Sequence, residues 1–401
     1  MANDAPPPGG HSFPASFDSV STVAAAAARP HRKKRRGTLL AVGGVVVLAL
    51  ACGGVQLGAN LGYDDALVAF TAVAEDADEQ QTLLDGELST LNQTTSIASK
   101  VTTAASGALM DAPLKEDLDA TIAAAETIAT DAATLHEQDI PRANDKPEWA
   151  WELFGETEQL NTDRDTAEQL IEDFESSNNA ASEATAAIED AGINAVSTAA
   201  EASGPFEAAH ISARNLDIIA LRNAAEQIHA AEALDEAAAS AYVDLEAAAA
   251  QMLTSEKAEL EEKAGPLRDA RIEIEAFARS IAPGVLLDFD WSERVNGYGY
   301  GDSMGGYATW WYSDPGYATI ELSNSVAANW PGDRSKALVA HEVGHTMSVK
   351  CQDMYDDSTQ ENIEAWATAW AISMGYHNDA NGTWAYGAPP QSLIDAAAKC
   401  R

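Results

Sequence analysis

The sequence predicts an α+β protein. A disordered basic tail and a transmembrane helix come first, then an all-α bundle or stalk, then a small mixed domain with a short sheet and two site-bearing helices. Three observations predict it. An uncharged run of 21 residues, Leu39 to Ala59, directly follows HRKKRR. Residues 64–282 are Ala- and Glu-rich with few β-branched runs, which favours helix. At Pro283-Gly284 the composition turns to aromatics and glycines, and β-favouring runs begin.

Residues 1–37 are Pro-, Ala- and Ser-rich, then basic, and contain nothing to bury, so a disordered cytoplasmic tail is expected. Residues 38–60 hold the apolar run. At 1.5 Å per residue, about 20 helical residues span the hydrocarbon core. Basic residues before the run and acidic ones after it keep the tail in the cytoplasm and put the rest outside a cell membrane, as a single-pass protein. A cleaved signal peptide, or a lipoprotein acceptor at Cys52, are the competing readings, and both also export the chain.

With 63 acidic and 24 basic side chains, the chain has a formal charge of −39, most of it between residues 38 and 283. Such a field repels nucleic acid, so none is expected as a partner. Across 64–282, Pro113, Pro141 to Pro147, Gly204-Pro205 and Gly265-Pro266 divide the helix-favouring sequence into about five helices. Their apolar positions are mostly Ala, so each helix buries little. Leu267, Ala270, Ile274, Phe277 and Ile281 form one helical stripe, expected to pack on the next domain or a neighbouring helix. The region is expected to bind a protein partner or to oligomerise if it works as an interaction module.

In residues 284–401, Val285 to Phe289 reads as a strand. Tyr307 to Tyr312 and Tyr317 to Leu322 read as a hairpin around Ser313-Asp314-Pro315-Gly316. After Trp330-Pro331-Gly332, Asp333 opens a helix through His345. A second helix begins at Ser358-Thr359, with Glu361 as capping partner, and runs through Trp370. Trp310, Trp311, Trp366 and Trp370 read as core.

The chemistry lies in His341-Glu342-Val343-Gly344-His345. Histidines at i and i+4 share one helical face, so both imidazoles can reach one zinc ion at about 2.0–2.1 Å. Glu342 stands beside that face as general base toward a zinc-activated water. Of the eight histidines, only His341, His345 and His377 follow residue 283. A catalytic zinc needs a third protein ligand and one open position.

With these residues the chain resembles the zincin metallopeptidases. The metzincin branch would require a glycine and a third histidine where Ser348 and Cys351 stand, so the resemblance is to the gluzincins, whose following helix supplies a glutamate. Glu364, Ala367, Trp370 and Ala371 match the gluzincin frame Glu-x-x-Ala-Asp-x-aromatic-Ala, and Glu364 lies 19 residues after His345. The resemblance implies Glu364 as third ligand ahead of Glu361, one zinc per chain, and a peptide or protein substrate. Thr368 replaces the frame's aspartate, which orients a ligand histidine, so that partner is expected from Thr368 itself or from elsewhere, with Glu361 a candidate. The resemblance also implies a sheet edge that binds substrate in extended form, a place the element order gives to Tyr317–Leu322.

For an oxyanion or proton donor, Tyr355, Tyr376, His377 and Tyr386 are the candidates, with Tyr355 and His377 foremost. Asp353, Asp356 and Asp357 read as a solvated loop, with a calcium site as the alternative. Cys351 and Cys400 lie in an exported domain and are expected to form a disulfide. The functional expectation is a membrane-anchored extracellular zinc metallopeptidase. The alternative is an extracellular helical interaction or sensor module with a structural or degenerate zinc site.

Overall fold

The computed structural model describes residues 38–312 and 316–401, with the side chains of 38–51 outside the description. The expected basic tail (1–37) and the tip of the hairpin (313–315) lie outside the described residues, as do the side chains of most of the expected membrane span. Among the described residues no helix is long and apolar enough to cross a membrane. Only the last part of the uncharged run, from Cys52, falls among the described side chains, and it gives way to Asn60, Asp64 and Asp65.

Among the described residues six helices precede the sheet: α1 (Thr38–Ala104), α2 (Ala112–His136), α3 (Ala150–Ala209), α4 (Asn215–His229), α5 (Glu236–Glu262) and α6 (Arg268–Ile281). Two compact units divide them. One holds the described residues up to Ala66 with Asp145–Glu158, the other Leu67–Asn144 with Gln159–Arg401.

In the second unit, α1 to α5 bury a largely Ala core around Leu91, Val101, Leu118, Ile188, Val196, Leu221, Tyr242 and Met252. Pro113 sits in the first turn of α2, where its missing N–H costs nothing, and Asp111 caps that turn by accepting from the Leu114 N–H at 3.0 Å. One expected break needs correction, and one observed break was not expected. Gly204-Pro205 does not end a helix: α3 continues to Ala209. Pro205 removes only its own bond to the Glu201 carbonyl, in a largely exposed final stretch that water can reach. The break at 230–235 had no proline to announce it. Asp235 makes it, capping α5 by accepting from the Ala238 N–H at 2.8 Å.

The predicted stripe packs as expected. Ile274 and Ala278 are buried in the C-terminal core, with Leu267, Ala270, Phe277 and Ile281 against it. The helical region is therefore joined to the sheet rather than standing off it as a stalk. At the joint Lys263, 1 % exposed, lies 3.2 Å from both Glu259 and Glu275. Glu275 also faces Arg279 at 3.4 Å and accepts from the Trp291 indole at 3.1 Å. Arg214 pairs with Glu259 and, at 2.9 Å, with Asp290. Buried Asn215 donates its backbone N–H to Asp288 at 2.7 Å and its side-chain amide to the Ala318 carbonyl at 2.9 Å.

The sheet has β1 (Leu286–Ser292), β2 (Gly306–Trp311) and β3 (Tyr317–Ser323) in the order β1-β3-β2. β2 and β3 form the predicted antiparallel hairpin, with Ala308 opposite Ile320. β1 runs parallel to β3, with Phe289 opposite Ile320. The strand expected at the edge, Tyr317–Leu322, is thus central, because it is hydrogen-bonded on both sides. The remaining elements are α7 (Asn324–Ala328), α8 (Asp333–Thr346), α9 (Ser348–Cys351), α10 (Gln360–Ser373), α11 (Thr383–Tyr386) and α12 (Gln391–Ala397). Gly332, not Asp333, occupies the cap of α8. Thr359 caps α10 as expected, but by accepting from Asn362, and Glu361 is exposed.

Candidate metal centre

α8 is buried along nearly its whole length, so its polar residues are forced to find partners inside the fold. Against it lies α10, whose Trp366 and Trp370 are fully buried as predicted. The two helices approach most closely at Gly344. A Cβ there would stand 2.7 Å from the Ala367 carbonyl oxygen and 2.9 Å from its Cα. The glycine inside the His-Glu-x-Gly-His run therefore lets the histidine helix and the glutamate helix touch backbone to backbone.

That contact brings the donors together. His341 Nε2 lies 3.1 Å and His345 Nε2 3.2 Å from Glu364 Oε2. One ligand atom from each of the three residues falls within 4.8 Å of the others, and all three residues are buried. Gln360 donates to the other Glu364 oxygen at 2.8 Å. Two imidazole nitrogens and a carboxylate, preoriented and shielded from water, are the donor set that a zinc ion takes, and Glu361 faces solvent away from it.

The missing aspartate has a replacement in the backbone. The His341 Nδ1–H donates to the Asn381 carbonyl at 2.9 Å, while Thr368 Oγ1 is 3.5 Å away. A carbonyl only accepts, so Nδ1 carries a proton whatever Nε2 does, and Nε2 is the nitrogen turned toward Glu364 and left for a metal to take. Gly382 makes the approach feasible. Its φ is +102°, and a Cβ there would lie 2.2 Å from Thr368 Oγ1 and 2.7 Å from His341 Nδ1. His345 Nδ1, by contrast, is buried without a protein partner. Its ring stacks on Trp310, centroids 5.8 Å apart.

Electrostatics follow the geometry. Burial alone would lower His341, but the Glu364 and Glu342 carboxylates and the Asn381 carbonyl outweigh it and hold the ring above its ordinary value. Burial lowers His345 despite Glu364. Burial opposes ionisation of Glu364, yet the hydrogen bonds from both imidazoles keep it well below the usual carboxylate range. Glu342, which lacks such bonds to the imidazoles, is pushed by burial up to about 7, against the pull of His341.

These residues line a cleft of about 160 Å³ with Gly306, Tyr307, Ala308, Trp310, Gln360 and Tyr386. A larger hollow, about 720 Å³, lies between α1 and the α2–α3 connection. Among the described residues only His341, His345 and Glu364 form a metal-holding group, so chemistry rather than size marks the site. The wall of the cleft is β2, the sheet's outer strand on this side. A Cβ at Gly306 would stand 2.5 Å from Glu342 Oε1, so the strand's backbone passes directly over that carboxylate.

The foremost donor candidates are placed elsewhere. Tyr355 stacks on Trp366 and its hydroxyl lies 2.7 Å from Ser348, and His377 is exposed outside the cleft. Tyr376 packs edge-on against Phe277. Of the four candidates Tyr386, from α11, is the one that lines the cleft, where Tyr307 of β2 is a second phenol. Its ring stacks on His341 at 6.0 Å, and burial with the Glu364 and Glu342 charges pushes it up to about 12, so it stays a donor at neutral pH. Trp310 is partly buried against the C-terminal core and also lines the cleft, whereas Trp311 is exposed, stacked on Tyr317, so Trp311 alone departs from the expectation of core.

Cys351 and Cys400 are disulfide-bonded, with Cα atoms 6.1 Å apart. The bridge ties α9 to the segment after α12, whose Cys400 carbonyl accepts from the buried Trp370 indole at 3.2 Å. Two of the three loop aspartates serve local turns: Asp356 accepts from Ser358 and Asn362, and Asp357 from Gln352. No family model matches this chain, and no curated protein or solved structure is significantly similar to it.

Proposed function

We propose that the chain is a membrane-anchored, extracellular zinc metallopeptidase of gluzincin type, acting on peptide or protein substrates. One observation carries the reading: three ligand atoms of His341, His345 and Glu364 lie within 4.8 Å of one another on two packed helices, in a cleft that Glu342 also lines. Zinc held by these residues supplies a Lewis acid that polarises the scissile carbonyl and the attacking water.

The chain's own residues do the rest. An extended substrate pairs along β2, whose backbone at Gly306 adjoins Glu342. Glu342, shielded from solvent, takes a proton from the attacking water as the oxygen bonds to the carbonyl carbon. It returns that proton to the amine nitrogen as the C–N bond breaks. The Tyr386 hydroxyl donates toward the developing oxyanion. The Asn381 carbonyl keeps the His341 ring in one tautomer. Among the described residues neither Lys nor Arg lines the cleft, so a free substrate carboxylate has no counterion from them, which supports internal rather than C-terminal cleavage.

The test uses the full chain in detergent, with zinc measured by elemental analysis and casein as substrate. The reading expects one zinc per chain and casein cleavage, with Glu342→Gln keeping zinc and losing at least 100-fold in kcat, in the range removal of a general base costs. A protein that holds no zinc refutes the assignment. One that holds zinc at full occupancy without cleaving supports the alternative, a helical interaction module with a structural site.

A further inference from the structure

In the unit formed by the described residues up to Ala66 with Asp145–Glu158, Tyr63 and Leu153 are buried, but six other large apolar side chains face outward. Val55, Leu57 and Leu61 of α1 are exposed, as are Trp149, Trp151 and Phe154 at the start of α3. The two indoles stack, centroids 5.3 Å apart and planes within 4°, yet remain 53 % and 68 % exposed. Stacked tryptophans left bare in water waste most of the apolar area they carry.

Their height along α1 is fixed by one residue. Gln56 donates its amide to the Glu148 carbonyl at 2.9 Å and accepts from the Ala150 N–H at 2.8 Å. Both ends of the Gln56 amide thus hold the segment bearing Trp149 and Trp151 beside it. Gln56 lies in the uncharged run that begins at Leu39. At 1.5 Å per residue, the separation of Leu39 and Gln56 is about 26 Å along the helix. A bilayer's hydrocarbon core is about 30 Å thick, so the indoles stand at its outer margin, the layer where tryptophan concentrates. Along α1 the first charge comes just beyond: Asp64 pairs with Lys146 at 2.6 Å, and Lys146 Nζ lies 5.3 Å from the Tyr63 ring centroid.

We infer that Trp149, Trp151 and Phe154, with Leu57 and Leu61, form an aromatic collar that seats in the interfacial layer of a phospholipid bilayer around the emerging α1. The partner is zwitterionic lipid, because Glu148, Glu152 and Glu156 crowd the same segment and repel anionic headgroups. The inference rests on the reading of Leu39–Ala59 as a membrane span and is independent of the zinc chemistry.

The test reconstitutes the full chain in phosphatidylcholine vesicles with bromine on the acyl chains, either near the headgroup or near the bilayer centre. Wild type is compared with Trp149→Phe/Trp151→Phe, which keeps two aromatic rings but removes two of the nine tryptophans. The emission lost in the variant is the signal of the pair. Shallow bromine is expected to quench that signal at least twofold more than deep bromine does, and each single variant to remove part of it. Carbonate extraction of the same vesicles separates the failures. A chain released by carbonate overturns the span and the collar together. A chain retained in the membrane whose indole pair is unquenched overturns the collar alone, and a second copy covering the pair would give that result.

Discussion

Replacing Gly344 by alanine tests the idea that one backbone contact sets the metal geometry. The added Cβ would lie 2.7 Å from the Ala367 carbonyl oxygen, 2.9 Å from its Cα and 3.1 Å from its carbonyl carbon. All three belong to the backbone of α10, so no side chain can swing aside. Restoring an ordinary contact of about 3.4 Å requires the helices to part by about 0.7 Å, whereas metal–ligand distances tolerate only about 0.2 Å. His345 stands on α8 beside this glycine and Glu364 on α10, so the separation pulls one ligand from the other. Overpacking costs about 1–3 kcal/mol, against a gain of at most about 1 kcal/mol in helix propensity. The expected net loss is about 0–2 kcal/mol in metal-free protein, together with at least tenfold weaker zinc binding. Denaturant melts in chelator give the first quantity and competition with a chromophoric chelator the second. Gly86→Ala is the control, because that helical glycine of α1 has open space around it, and the same substitution there is expected to stabilise by up to about 1 kcal/mol. Zinc affinity and stability equal to wild type in Gly344→Ala would refute the reasoning.

Other outcomes follow from the same geometry. Tyr386→Phe is expected to lower kcat by 10- to 100-fold with little change in KM, read in steady-state peptide cleavage, while Tyr355→Phe leaves kcat within twofold. Replacing Cys351 and Cys400 with serine opens a loop spanning 49 positions and is expected to cost about 4 kcal/mol on the chain-entropy account, seen as an earlier denaturant midpoint. Burial raises the Asp288 carboxyl to about 7, despite the Asn215 N–H and Arg214. Its folded value lies above its unfolded one, so its contribution is full below about pH 4 and fades as pH rises through about 7. Asp288→Asn keeps the acceptor for Asn215 and is expected to flatten that slope and stabilise the protein at pH 8 by no more than about 4 kcal/mol, measured by denaturant titration at several pH values.

The donor set was legible because spacing alone puts His341 and His345 on one helical face, and the frame around Glu364 carries side-chain identities. The strands were legible because their β-favouring runs are distinct. What escaped the sequence depends on contacts without a residue signature. A backbone carbonyl, that of Asn381, replaces the absent aspartate, and any residue before Gly382 offers the same atom. Choosing Tyr386 over Tyr355 required knowing which short helix folds across the cleft. The strand order was hidden because the hairpin fixes only β2 against β3, and β1 then adds in parallel to the far side of β3. Pro205 misled because proline's cost in a helix falls where water reaches the freed carbonyl.

The ion cluster where α4, α5, α6 and β1 meet has a practical corollary. Lys263 is surrounded by carboxylates from two helices, and Glu275 is shared among Lys263, Arg279 and Trp291. Cutting the chain at Gly284 would strip α6 from the hydrophobic face it covers and strand Asp288 and Asp290 without Asn215 and Arg214. A fragment beginning there would lose its lid and its counterions at once. The Ala-rich helices are thus a folding partner of the domain that bears the candidate metal site, and an expression boundary that respects the chemistry has to include them.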